Sequence, residues 1–254
     1  MPDNEVRLER DGGVAELVLA APQRANALDL HLGRQLEETS ARLAASPSVR
    51  VVLIRAEGPH FCVGGDVHAF AAHGGDISAY VGQVAEVVHS AQRHLAGLAV
   101  PVISAAHGAI AGAGVGLAFS ADLVVLAHSA KVRLAYTAIG LSPDNGASHL
   151  LPRLIGTRRA LELALTNRTL TAHEALDWGL ATAVVDDRAL VDEARKLADA
   201  LARMSPEALA ATKRLVRTAG DTTQDAHLDA EASAITVLAA TDTAQRAIAE
   251  FAKR

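Results

Sequence analysis

The chain has 254 residues, half of them apolar, which is enough to bury a large core without covalent staples. Its single cysteine, Cys62, excludes an intrachain disulfide and any cysteine cluster for zinc or an iron–sulfur centre, and fits a reducing, cytoplasmic setting. A formal net charge of -5 without a long Lys/Arg block argues against nucleic acid as a partner.

Met1 to Arg10 mixes acidic and basic residues and does not read as a secretory signal. Glu5–Arg10 and Val14–Ala20, joined by Asp11-Gly12-Gly13, predict a β-hairpin. A helix is predicted from Asp29 to Ala45, then a buried strand over Arg50–Arg55. Glu57 to Asp76 reads as a loop rich in glycine and histidine, and Ile77–Gly97 carries apolar residues at helical spacing.

Val100 to Ala127 is long enough to span a bilayer and has only His107 and Asp122 as ionisable groups. Pro101, the glycines of Gly108–Gly116 and the lack of Trp or Tyr at either end argue against a membrane span. The segment instead predicts a strand over Pro101–Ala105, a glycine-rich turn, a small-residue helix to Ser120, and a strand over Leu123–Ala127. From Gly156 onward Arg158–Leu165, Thr171–Trp178, Asp186–Met204, Pro206–Thr218 and Ala226–Ala239 all read as helices. Strands alternating with helices predict an α/β architecture, and the alanine-rich C-terminal helices predict a surface that packs on another subunit.

Two loops carry chemistry. In Phe61-Cys-Val-Gly-Gly-Asp66 the glycine pair lets backbone amides face a ligand, although a plain turn needs the same residues. His107-Gly-Ala-Ile-Ala-Gly-Ala-Gly-Val-Gly116 opens a helix whose free N-terminal amides suit an anion or oxyanion. A dinucleotide site fails on detail, because Gly112, Gly114 and Gly116 give G-x-G-x-G and not G-x-G-x-x-G. His60, His68 and His73 sit at spacings that fit no metal pattern, so no metal site is expected, and Cys62 and Trp178 read as packing residues.

The two loops together resemble the paired oxyanion-hole motifs of the crotonase (enoyl-CoA hydratase/isomerase) superfamily. The resemblance extends through Pro22-Gln-Arg-Ala-Asn-Ala-Leu28, Gly140-Leu-Ser-Pro-Asp-Asn-Gly146, Leu151-Pro-Arg-Leu-Ile-Gly156, Leu165–Thr171 and Glu174–Leu180. It implies a spiral of ββα turns over residues 1–195, and a helical trimerisation region over 196–254. It also implies an acyl-CoA thioester substrate, a homotrimer or dimer of trimers, and no separate cofactor, since coenzyme A is part of the substrate. By the same resemblance the amides of Gly65 and Ala113 form the oxyanion hole. Arg24, Ala25, Ala27, Gly65, Asp66 and Val67 contact the coenzyme, as do Phe251 and Lys253 near the C-terminus.

Hydratases of the two-glutamate kind carry acids where this chain has Gly116 and Tyr136, so both are missing. Asp144 remains, at the turn where ring-1,2-epoxyphenylacetyl-CoA and delta3,delta2-enoyl-CoA isomerases place an Asp that shuttles a proton between the alpha and gamma carbons. The resemblance therefore implies an isomerase with Asp144 as its base. Three alternatives stay open: an aryl-CoA dehalogenase, in whose family pattern Asp144 is the nucleophile, His89 a helix histidine and Tyr136 an aromatic; a hydratase with atypical acids; and an acyl-CoA binder without turnover. His89, Tyr136 and Gly116 are accordingly further candidates for catalysis or for lining the pocket.

Overall fold

The computed structural model describes residues 4–253. The chain starts with an antiparallel hairpin of β1 (Val6–Asp11) and β2 (Val14–Leu19), within a residue of the predicted limits. Helix α1 (Leu30–Ala44) follows, its N-terminus closed by Asp29, whose carboxylate accepts from Leu32 N–H at 2.8 Å. Strand β3 (Val51–Ala56) then pairs parallel to β2.

The predicted loop between β3 and the next long helix is not all loop. It contains a short helix, α2 (Val67–Ala72), because Asp66 caps it by accepting from Ala69 N–H at 3.0 Å. A segment of 6 residues is too short for apolar periodicity to reveal. Helix α3 (Ile77–Ala96) leads to β4 (Val102–Ala106), β5 (Ala109–Ala111), the small-residue helix α4 (Ala113–Phe119) and β6 (Leu123–Ala127). Strand β7 (Lys131–Arg133) pairs parallel to β5 and antiparallel to the two-residue β8 (Leu170–Thr171).

Helicity begins earlier than predicted after the Asp144 turn. Helix α5 (Ala147–Thr166) includes Pro152 and is broken in its middle by Gly156, at φ 79° and ψ 154°. The predicted helix from Arg158 is therefore only its second half. Helix α6 (Ala172–Asp177) starts with a capping box between Thr171 and Glu174, and β9 (Ala183–Val185) closes the main sheet. Helices α7 (Leu190–Ala202), α8 (Pro206–Thr218), α9 (Gln224–Ala239) and α10 (Asp242–Phe251) complete the chain, the last of them unforeseen from sequence.

The main sheet has six strands in the order β1-β2-β3-β4-β6-β9, all parallel after the first pair. Because β3 and β4 are covered on both faces, they read as mainly apolar runs, broken only by Arg55 and Ser104, and not as alternation. Val52 and Ile54 face the larger core under α1 and α3, while Val51, Leu53 and Ile103 meet Leu190, Ala194 and Ala198 of α7. The division expected after residue 195 falls inside α7.

Helix α8 is tied to the sheet by Lys213, whose Nζ lies 2.7 Å from Asp122 Oδ2 and 2.9 Å from Val100 O. The outer faces of α8 to α10 leave Val216, Ile235, Val237, Ile248 and Phe251 exposed. Trp178 is half-buried against the core, between the guanidinium groups of Arg159 and Arg168. No helix among the described residues is long and apolar enough to cross a membrane.

Candidate active site

The two glycine loops lie side by side. Cys62 bridges to Ile110, with Ala111 N–H donating to Cys62 O at 2.9 Å. The approach is so close that a Cβ on Gly114 would sit 2.4 Å from Cys62 O. A Cβ on Gly64, which is held at φ +89°, would sit 2.9 Å from Ala111 O. Glycine is required at both positions by backbone-on-backbone packing.

This packing aims two amides. Leu28 N–H donates to Gly64 O at 2.7 Å and Asp66 N–H to Leu28 O at 3.0 Å. All peptides among the described residues are trans, so the N–H of Gly65 points opposite to Gly64 O, away from Leu28. On the second loop Val115 N–H donates to Gly112 O at 3.0 Å, which turns the N–H of Ala113 outward from the start of α4. Gly65 and Ala113 both line one cavity of about 310 Å³. Its other walls come from Phe70, Val84 and Val88 on one side and Leu134, Tyr136, Leu141 and Asp144 on the other.

Asp144 is the carboxylate in that lining. Its Oδ1 accepts a hydrogen bond from the phenol of Tyr136, and its Oδ2 lies 3.7 Å from His89 Nε2. Tyr136 is buried, and burial, reinforced by the charge of Asp144, raises its pKa, so the phenol stays protonated and donating. His89 Nε2 accepts from Asn145 N–H at 3.1 Å, so the nitrogen facing Asp144 carries a lone pair, not a proton. One oxygen of the carboxylate is thus fixed and the other is left available.

Gly116 does not line the cavity. It packs under the turn that carries Asp144, where a Cβ would fall 2.0 Å from Asn145 O. Arg24 is drawn inward, with Nη1 at 2.9 Å from Asp29 and 3.1 Å from Asp66, and Nη2 at 2.5 Å from Glu5. It braces the caps of α1 and α2. Burial opposes ionisation of Asp66, but the bond from Ala69 N–H and the pairing with Arg24 outweigh it and hold its carboxyl below the usual range.

Ala25, at φ 52°, and Ala27 lie in the loop beside Val63, which donates to Ala25 O at 3.3 Å, and Val67 lines the cavity. Phe251 and Lys253 lie at the end of α10 and are not among the cavity residues. Sequence reasoning did not single out Phe70, Leu134 or Asn145. Phe70 falls in the helix read as loop, and Asn145 looked like one turn residue among several. An Asn before Gly in Pro143-Asp-Asn-Gly146 is the signal that marks it, since Asn tolerates the left-handed φ of 47° that the turn needs.

Comparison with known proteins decides the family. The family model for enoyl-CoA hydratase/isomerase matches residues 9–254. The chain belongs to the enoyl-CoA hydratase/isomerase family. It is 36% identical over 220 residues to 1,2-epoxyphenylacetyl-CoA isomerase of Escherichia coli K12, covering 86% of this chain and 84% of that protein. It is also 35% identical over 213 residues to carnitinyl-CoA dehydratase of Proteus mirabilis, covering 84% and 80%. A solved structure from Mycobacterium abscessus, named for the same family, superposes with a TM-score of 0.94 at 34% identity over 98% of this chain and 96% of that one. The mixed α/β body and its helical C-terminal region are therefore the crotonase fold.

Proposed function

We propose that this enzyme moves a double bond within an enoyl-CoA thioester, with Asp144 as the proton carrier. The carrying observation is that Asp144 is the carboxylate in the cavity wall, with one oxygen held by Tyr136, while Gly116 and Tyr136 supply no acid. Adding or removing water needs one group to orient water and another to move a proton. Moving a double bond needs one carboxylate. Its free oxygen takes a proton from the alpha carbon of a 3-enoyl thioester, the electrons run into the thioester oxygen, and the same proton returns to the gamma carbon.

The developing oxyanion is received by the amides of Gly65 and Ala113, each worth roughly 3 kcal/mol in such a role. The coenzyme is held along Arg24, Ala25, Ala27, Gly65, Asp66 and Val67, with Phe251 and Lys253 reaching the nucleotide of their own or a neighbouring subunit. Coenzyme A enters as part of the substrate, and the mechanism calls for no separate cofactor. A homotrimer or dimer of trimers is supported by the exposed apolar residues of α8 to α10.

The test is a panel of 3-enoyl-, 2-enoyl- and halogenated aroyl-CoA thioesters followed by mass spectrometry and ultraviolet absorbance. A conjugated product of unchanged mass is expected. Gain of water would assign a hydratase, and exchange of halide for hydroxyl a dehalogenase. Asp144→Asn is expected to keep thioester binding and lose isomerisation and alpha-proton exchange by about a hundredfold or more. An Asn variant that isomerises at the parent rate would reduce Asp144 to a turn residue.

A further inference from the structure

We infer that Asn145 is a positioning residue that locks the oxyanion donor at Ala113 to the base at Asp144, and this inference rests on the roles proposed above for those two residues. Asn145 joins chain segments that are otherwise separate. Its Nδ2 donates to Ala113 O at 2.8 Å, across 32 residues of sequence. Its backbone N–H donates to His89 Nε2 on α3, and its carbonyl rests on Gly116 of α4. The residue is 1% exposed, and its Oδ1 is buried with no hydrogen-bond partner among the described residues.

A buried amide oxygen without a partner costs about 1–3 kcal/mol, so a small apolar side chain or glycine would serve packing better. What the carboxamide supplies is the bond to Ala113. That bond matters because the peptide carrying the Ala113 N–H hangs from Gly112, at φ 51° and ψ -130°, a conformation open to glycine alone and therefore easy to pivot. That peptide is held by Val115 N–H on Gly112 O at 3.0 Å, the peptide before it by Gly112 N–H on Arg133 O at 3.1 Å, and the peptide after it by Asn145 on Ala113 O. Removing the Asn145 bond leaves the donor restrained on one side only and lets it tilt. Because Asp144 is the preceding residue, the same change loosens the base relative to the donor.

The test uses Asn145→Asp, which keeps shape but replaces the donor by an acceptor, and Asn145→Gly, which suits the left-handed backbone and removes the side chain. The probe is butyryl-CoA carrying a 13C label in its carbonyl, whose stretching frequency on the enzyme reports polarisation by the oxyanion hole. Both variants are expected to bind it within about threefold of the parent, to show a diminished carbonyl shift, and to lose about tenfold to a hundredfold in kcat for 3-enoyl-CoA isomerisation with little change in KM. A parent enzyme that shows no carbonyl shift would overturn the oxyanion hole itself and this inference with it. A parent shift that persists undiminished in a folded Asn145 variant would overturn the inference alone, leaving the hole in place.

Discussion

Gly116→Ala inverts an ordinary expectation. In the interior of a helix, alanine is favoured over glycine by about 1 kcal/mol. At position 116 the new Cβ would lie 2.0 Å from Asn145 O, 3.0 Å from Asn145 C and 3.1 Å from Asn145 Cβ. A backbone oxygen must withdraw by more than an ångström, which breaks or stretches the bonds from Asn145 to His89 and to Ala113, now 3.1 and 2.8 Å long. Overpacking at about 1–3 kcal/mol and two buried hydrogen bonds at about 1 kcal/mol each outweigh the helix gain, for a net loss of about 2–4 kcal/mol. In thermal unfolding followed by circular dichroism this is a fall in Tm of roughly 5–15 °C. Gly82→Ala is the control, since a Cβ there meets nothing within 4 Å and the helix gain should appear undiminished. A Gly116→Ala protein as stable and active as Gly82→Ala would refute the reasoning.

Three further outcomes are expected. Burial pushes the Cys62 thiol from 9.0 up to about 12, so its protonated form favours the folded state: that stability is full below pH 9, and falls by about 1.4 kcal/mol per unit as pH rises from there to the folded value. Urea unfolding of the parent at pH 8 and 10 should show this extra loss and Cys62→Ala should not; equal losses in both would reject it. Lys213→Met should cost about 3 kcal/mol, the low end for breaking a buried pair because Arg217 still holds Asp122 at 2.6 Å, and an unchanged urea midpoint would show that α8 needs no such anchor. Leu134 lines both the cavity of about 310 Å³ and a smaller apolar cavity of about 120 Å³, so Leu134→Ala should raise kcat/KM for longer relative to shorter 3-enoyl thioesters by about tenfold, and a ratio that does not move would separate the two cavities.

How much of this was legible beforehand follows from the range of the interactions involved. The buried strands and the long helices announce themselves by local pattern: β3 and β4 are mainly apolar because both faces are covered, and α3 shows its helical period across twenty residues. The glycine loops were legible as motifs, but the reason for each glycine was not. Gly64 answers to Ala111 O and Gly114 to Cys62 O, contacts between backbones some fifty residues apart that no window along the chain contains. Short elements escaped for a different reason, since α2 is set by one cap at Asp66 and by Arg24, itself held by carboxylates from three separate segments. The same limit explains Asn145. Its sequence neighbourhood specifies a turn, and a turn explains its backbone fully. Only the placement of Ala113, His89 and Gly116 around it turns a permissive residue into one whose side chain ties the Asp144 turn to the start of α4, and that placement is a property of the packed sheet and helices, not of the turn.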